Sequence, residues 1–328
     1  MKQSISVYFL TLTDTNTSEH HYLSSLRDAL LDNNIVEVGN WRNADVVHLF
    51  EVNFYTRAAI GEFRYAKLLR ILRSDTPLVV STDDLFFINE PNLTGRPSLY
   101  RLNHHTQRWL FSQSDGVIAI SNSVRSALRK HNNEANIHTV YHGVEDAYRS
   151  ESPPENPLFM LHVSLASKRK NPDALLTVAK RLDRRFVIAG SAWPDIVPDE
   201  PAYDNVETPG FVPESKLIDL YKRAGVFYFP TFHEGFSLPI LEAMASSTAI
   251  VASDAYSVPE VTGEAALLHE PTDVTAHIDS IERLLTDDSR RQALAEKGDQ
   301  RARGFTWTRA ANETRAVYKD LLSTNSTA

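Results

Sequence analysis

The run Pro230-Thr231-Phe232-His233-Glu234-Gly235-Phe236-Ser237-Leu238-Pro239-Ile240-Leu241-Glu242 gathers residue types that can hold a sugar and a phosphate. Its carboxylates, Glu234 and Glu242, are accept-only groups, and each suits a pair of vicinal hydroxyls, as on a sugar ring or a ribose. Between them lies a loop with one glycine. Pro239 stands near the start of a helical pattern, where a missing N–H costs little. The amides of Gly235, Phe236, Ser237 and Leu238 then fall at a helix N-terminus. Such an end carries unpaired donors and about half a positive charge, which suits an anion such as phosphate. A plainer reading stands beside this one: Glu242, within the first helical turn, complements the helix dipole, and Glu234 is a solvated loop acid.

A diphosphate also needs cations. Ser167-Lys168-Arg169-Lys170-Asn171-Pro172 follows a strand pattern and precedes a helical one, so Arg169 and Lys170 are placed to clamp the oxygens of a departing diphosphate; a solvated basic turn is the alternative. Thr82-Asp83-Asp84 also ends a strand pattern. Asp83 there either hydrogen-bonds a sugar hydroxyl, polarises an acceptor hydroxyl, or caps the following turn. Adjacent aspartates point apart, and so do the pairs His20-His21 and His104-His105, so no metal site is expected. His142, before Gly143, is a candidate for substrate contact. Arg57, Arg64, Lys67, Arg70 and Arg73 share a helical stretch with Glu62 as the opposing charge. They form either a solvated basic face or a patch that docks on anionic membrane through Arg64, Lys67 and Arg70.

These residues need a scaffold, and the pattern predicts one. Candidate strands at Ser4–Thr11, Ala44–Phe50, Leu78–Ser81, Gly116–Ser121 and His138–His142 alternate with helical patterns at Ser18–Leu31 and Ser123–Lys130. The polar, proline-rich run Glu151-Ser152-Pro153-Pro154-Glu155-Asn156-Pro157 reads as a linker. Beyond it come strands at Leu158–Val163, Arg185–Ala189, Val226–Phe229, Ile250–Ser253 and Ala266–His269. Helices at Pro172–Leu182, Ser215–Ala224 and Pro239–Ser246 lie among them. A helix from Asp279 through Asp287 onward and a last one, Thr308–Leu322, end the chain. This βαβ rhythm predicts two α/β halves with parallel sheets, whose ligands bind beyond the carboxyl ends of the strands. The expected division is an N-terminal domain over 1–152, a C-terminal domain over 153–307, and a helix over 308–328 that packs back on the first.

Composition narrows the function. The 328 residues include no cysteine, which excludes disulfides, thiolate nucleophiles and cysteine-held metal clusters. The net charge of −8 argues against general nucleic-acid binding. No run approaches ~18 apolar residues, and the first ten residues read as a strand, so a cytoplasmic protein is expected. No G-x-G-x-x-G follows the first strand, which disfavours a dinucleotide-dependent oxidoreductase. The charge is uneven: residues 1–150 hold 15 basic and 16 acidic side chains, and the remainder 19 and 26. The acidic half is therefore the one that carries the basic turn at Lys168–Lys170.

Glu234 to Ala245 resembles the Glu-x7-Glu signature of retaining GT-B glycosyltransferases of family 4. Further runs are similar to that family in order: Ala44 to His48, Asp115 to Ser121, Val140 to Glu145, Gly210 to Glu214, Leu220 to Ala224, Val258 to Val261 and Gly263 to Ala266. The resemblance implies the GT-B fold, two facing Rossmann-like α/β domains with a cleft between them. It implies a hexosyltransferase that uses a nucleotide-diphosphate sugar and needs no metal. Glu234 would contact the donor sugar and Glu242 the ribose, with Gly235, Phe236, Ser237 and Leu238 lying against the diphosphate or transferred sugar. Lys168-Arg169-Lys170-Asn171, Leu165 in place of an arginine, and Gly190-Ser191-Ala192-Trp193 resemble a mannosyltransferase-like branch. This favours GDP-mannose over a UDP-sugar. Val212 and Glu214 would then lie at the base, where Glu214 either reads guanine or merely starts a helix. Two features depart from the family. Asp14 to Ser18 lacks a Gly-Gly turn, and Asp83 replaces a histidine near the donor sugar. They keep open a non-catalytic nucleotide-sugar-binding or glycan-binding subunit, or an epimerase of the same fold. The acceptor expected is a glycan or a lipid-linked hydroxyl, with peripheral contact at the inner membrane face.

Overall fold

Strands buried on both faces read as continuous apolar runs, and both halves of the chain contain them. Val46–Phe50, Leu78–Thr82, Val226–Phe229 and Ala249–Ser253 are buried at every position. The computed structural model describes residues 4–11, 21–50, 62–82, 105, 107–131, 136–154 and 159–325. The chain divides into two compact units, one of residues 1–143 with 306–328 and one of residues 144–305.

The first unit alternates β1 (Ile5–Thr11), α1 (His21–Leu31), β2 (Ile35–Glu37), β3 (Val46–Phe50), α2 (Glu62–Ile71), β4 (Leu78–Thr82), β5 (Gly116–Ala119), α3 (Asn122–His131) and β6 (Ile137–Thr139). Its sheet is parallel, in the order β2-β1-β3-β4-β5-β6. The second unit contains β7 (Met160–Val163), α4 (Pro172–Arg181), β8 (Phe186–Ala189), β9 (Val206–Gly210), α5 (Glu214–Arg223) and β10 (Val226–Phe229). It continues with α6 (Leu238–Ala245), β11 (Ala249–Ser253), α7 (Val258–Thr262), β12 (Leu267–His269), α8 (Val274–Thr286) and α9 (Asp288–Ala302). Its parallel sheet runs β12-β11-β10-β7-β8-β9, so the strand order reverses between β7 and β10. In open α/β sheets that reversal marks the place where ligands bind.

The last helix, α10 (Trp307–Asn325), belongs to the first unit. Asn312 accepts a hydrogen bond from Asn33 at 2.8 Å, and Val317, Tyr318 and Leu321 join the core that α1 and the first sheet form. Gly116 lets α10 approach closely: a Cβ there would stand 3.2 Å from Leu321, whose side chain would have to give by a few tenths of an ångström.

The join lies earlier than the proline-rich run suggests. Residues 155–157 of that run lie outside the described residues. The second unit already begins at Val144, whose amide donates to Phe305 O at 3.3 Å. Tyr148 is buried edge-on against Tyr221, and Ser150 donates its amide to Ala245 O at 3.0 Å. The anchor is an aromatic side chain, whereas composition points at the prolines that follow it. Three further differences have local causes. β2 has three residues, and β9 is an edge strand carrying Pro209, so neither has a strong apolar signal. The helical stretch around Asp287 is two helices, because the Asp287 carboxylate accepts from Arg290 N and caps α9.

Candidate active site

The turn after β7 and the loop after β10 meet at the strand-order reversal. Lys168–Lys170 form one turn of 3-10 helix, and Asn171 follows in the left-handed region at φ 56°. That conformation lets the Asn171 side chain cap α4 through Ala174 N while donating to Pro271 O at 2.8 Å. The turn aims its cations at Glu234. Glu234 Oε1 accepts from Lys170 Nζ at 2.6 Å, from Arg169 at 3.1 Å and from Thr231 Oγ1 at 2.8 Å. Lys170 and Glu234 are 6% and 5% exposed, so this is a buried cluster and not a solvated basic turn beside a loop acid.

Burial by itself would push the Glu234 carboxyl up. The charges of Lys170 and Arg169 and the hydrogen bonds from Lys170 and Thr231 outweigh it and hold the group near a pKa of about 2. Among the described residues, the salt bridges here set two cations against one anion, a local excess of positive charge in an acidic half of the chain.

A layer of buried rings lies beneath. Lys170 Nζ stands 4.7 Å from the centroid of the Phe229 ring, and Phe229 stacks on His162. His162 Nδ1 faces the Tyr228 carbonyl at 2.9 Å and must donate there, so Nε2 accepts from Ser164 at 2.7 Å. Burial drives His162 down to about 3, so the ring is neutral. Trp193 donates to Ser164 O at 2.8 Å and is fully buried. Gly190 has φ 124°, and a Cβ there would stand 1.9 Å from Ser164 O. The Gly190–Trp193 pair thus shapes the end of β7 from below.

The loop amides precede α6. Ser237 takes the left-handed region at φ 74° and is the N-cap, and Pro239 occupies the first turn. Gly235, Phe236 and Ser237 are buried, and the Phe236 ring packs on Phe305 at 5.9 Å, so Phe236 presents backbone and not its ring. Leu238 is half-buried as the first helical residue. Glu242 is the fifth residue of α6, one residue further in than the pattern suggested and just past the first turn, where a carboxylate complements the dipole. It faces two phenols: burial and then the Glu242 carboxylate push both Tyr148 and Tyr221 upward. Glu214 acts on Tyr148 in the same direction. Glu214 is exposed as the first residue of α5, and Val212 is buried beside it in sequence. Glu214 and Glu242 therefore share one neighbourhood, around Tyr148.

Not every expected residue joins the site. Asp83 and the Asp14–Ser18 turn lie outside the described residues. His142 is buried between Tyr22 and Trp307, and burial lowers it to about 3, so it belongs to the core of the first unit. Of the basic stripe, Arg70 is exposed, and Lys67 bonds the Tyr8 hydroxyl and sits over its ring at 4.6 Å. The side chain of Arg64 lies outside the description. Sequence reasoning missed Thr231, Tyr148, Tyr221 and Ser257, whose hydroxyl donates to Glu234 O at 2.9 Å. Only Thr231, three residues before Glu234, had a signal to notice.

Comparison with known proteins points the same way. Residues 144–301 match the family described as Glycosyl transferases group 1, and residues 19–148 match Glycosyltransferase Family 4. The chain is 42% identical over 110 residues to an O-antigen chain mannosyltransferase B of Escherichia coli, covering 34% of this chain and 29% of that protein. It is 40% identical over 124 residues to an MMP alpha-(1->4)-mannosyltransferase of Mycolicibacterium hassiacum, covering 37% of this chain and 30% of that protein. The chain thus spans about 30% of the length of these curated relatives. Among solved structures, a sucrose-phosphate synthase of Thermosynechococcus elongatus superposes with a TM-score of 0.80 at 15% identity, over 98% of this chain and all of that one. HepE of Anabaena, solved with UDP and glucose, superposes at 0.73 and 14% identity, over 96% of this chain and 100% of that one. At these identities the structures speak for the fold.

Proposed function

The chain belongs to the GT-B glycosyltransferases, and from that premise we propose that it moves a hexose, mannose favoured, from a nucleotide-diphosphate sugar to a hydroxyl of a glycan or lipid-linked acceptor, with retention at the anomeric carbon. One observation carries the reading: Glu234, Lys170 and Arg169 form a buried, net-cationic cluster where the strand order of the second unit reverses. Diphosphate is the leaving group such a cluster suits, because fixed cations in a dry setting stabilise charge that develops as the bond breaks. The bond between the anomeric carbon and the phosphate oxygen breaks, and the diphosphate keeps the electron pair. The acceptor oxygen bonds to the same carbon, and its proton passes to the departing phosphate oxygen. Glu234 orients the sugar and Glu242 holds the ribose, with Asp83 a further contact to the sugar.

The donor reading leans on two supports. Both relatives named above are mannosyltransferases by name, and Leu165 stands where many family members place an arginine. Glu214 accepts hydrogen bonds only, and guanine presents two adjacent N–H donors where uracil presents one. Thermal shift and sugar release with GDP-mannose and UDP-glucose, beside Glu234→Ala and Lys170→Ala, test the proposal. Stabilisation by GDP over UDP supports the mannose reading, and the absence of any nucleotide binding overturns the enzyme.

A further inference from the structure

We propose that Thr231 is a positioning residue for the transfer. It locks Glu234 through Oε1 and so leaves Oε2 to take a hydroxyl of the donor sugar. The inference rests on the reading that Glu234 serves the donor.

All three protein donors to Glu234 converge on Oε1: Lys170, Arg169 and Thr231. Among the described residues none reaches Oε2. A carboxylate has about four lone-pair sites, and three donors on one oxygen leave the other oxygen's pair for a ligand. The two cations alone do not fix the carboxylate plane, because Lys170 is a point charge on a flexible stem. Thr231 supplies a third, short-stemmed anchor from the same loop.

Thr231 is itself pinned. It is fully buried, and β-branching leaves χ1 little freedom. Its Oγ1 has one hydrogen and three acceptors within reach: Glu234 Oε1 at 2.8 Å, Arg169 O at 3.1 Å and His233 O at 3.1 Å. Arg169 O already accepts from Phe232 N at 2.8 Å, and His233 O from the Arg169 guanidinium at 3.0 Å. The carboxylate, charged and nearest, therefore takes the hydroxyl hydrogen. His233 N donates back to Oγ1 at 3.3 Å. One hydroxyl thus ties the carboxylate to the backbone of its own loop.

The test compares Thr231→Val, which keeps the shape and removes the hydroxyl, with Thr231→Ser, which keeps the hydroxyl. Turnover of GDP-mannose or UDP-glucose, whichever the wild-type chain consumes, is read beside affinity for the sugar-free GDP or UDP. We expect Thr231→Val to lower kcat about tenfold or more with nucleoside-diphosphate affinity within about threefold, and Thr231→Ser to restore most of kcat. Thr231→Ala carries the same comparison should the valine variant fail to fold. Unchanged kcat in the hydroxyl-free variant, or equal losses of kcat and nucleotide affinity, overturns the proposal. Glu234→Gln measured alongside separates the two levels. If it keeps full kcat, the reading of Glu234 fails; if it loses kcat while Thr231→Val does not, only the role of Thr231 fails.

Discussion

Each unit buries a polar network near the carboxyl end of its sheet, and the two are built on opposite principles. In the first, Tyr318 of α10 meets His48 Nδ1 at 2.5 Å, and His48 Nε2 meets Ser81 Oγ at 2.7 Å. Every member is neutral: burial lowers His48 to about 3. Both ring nitrogens and both hydroxyls have partners, and the network fastens the returning helix to β3 and β4. In the second unit the network is ionic and unbalanced, with two cations on one carboxylate oxygen. A neutral network of this kind holds a fold together. A charged one with more cations than carboxylates at its centre suits an arriving anion.

Acid should expose the contrast most strongly. His48, His142 and His162 have ordinary values near 6.5 and folded values of about 3. The folded state then binds fewer protons than the unfolded one throughout that window. Their cost to stability is absent above about pH 6.5 and grows as pH falls, at roughly 1.4 kcal/mol per pH unit for each ring. Glu234 is the opposite type, depressed from 4.5 to about 2. Its contribution is full above about pH 4.5 and is lost as pH falls toward 2. Denaturant melts should therefore weaken well before the carboxylate titrates. Equal stability at pH 7 and pH 5 would break the assignment of neutral buried rings.

Removing Glu234 is the next largest change. Glu234→Ala leaves the buried Lys170 ammonium without its carboxylate, at a cost of about 3–5 kcal/mol. A drop in melting temperature that added GDP partly reverses would match an open cationic site. Tyr318→Phe is milder, since it deletes one buried hydroxyl and costs about 1 kcal/mol. Nucleotide affinity should not change in that variant, and a parallel loss of GDP binding would dissolve the distinction between the networks. The smallest effect concerns the basic helix. Reversing Lys67 and Arg70 should reduce flotation with anionic liposomes if that face docks on membrane, and unchanged flotation removes the docking role. Among the described residues no helix is long and apolar enough to cross a membrane.

What was legible follows from range. Val226–Phe229 and the Gly-loop before Pro239 announce themselves through local chemistry, and so the parallel sheet and the Glu234 loop can be read from the chain. The start of α6 was less legible: Ser237 accepts a left-handed backbone despite its Cβ, which moves Glu242 to the second turn. Lys170 meeting Glu234 is a contact over 64 positions, and neither run announces it locally. Tyr148 was hidden because an aromatic before a proline-rich run has an ordinary packing role in most sequences. The partners of Tyr148 stand on α5 and α6, more than sixty positions further along the chain.

The central claim is that the Lys170–Arg169–Glu234 cluster is a diphosphate site. Calorimetric titration of GDP and of UDP into the wild-type chain and into Lys170→Met tests it most directly. Binding of one equivalent by the wild type, weakened about tenfold or more in the variant, is the predicted result. Equal affinity in the two proteins, or no nucleotide binding by the wild type, would contradict it.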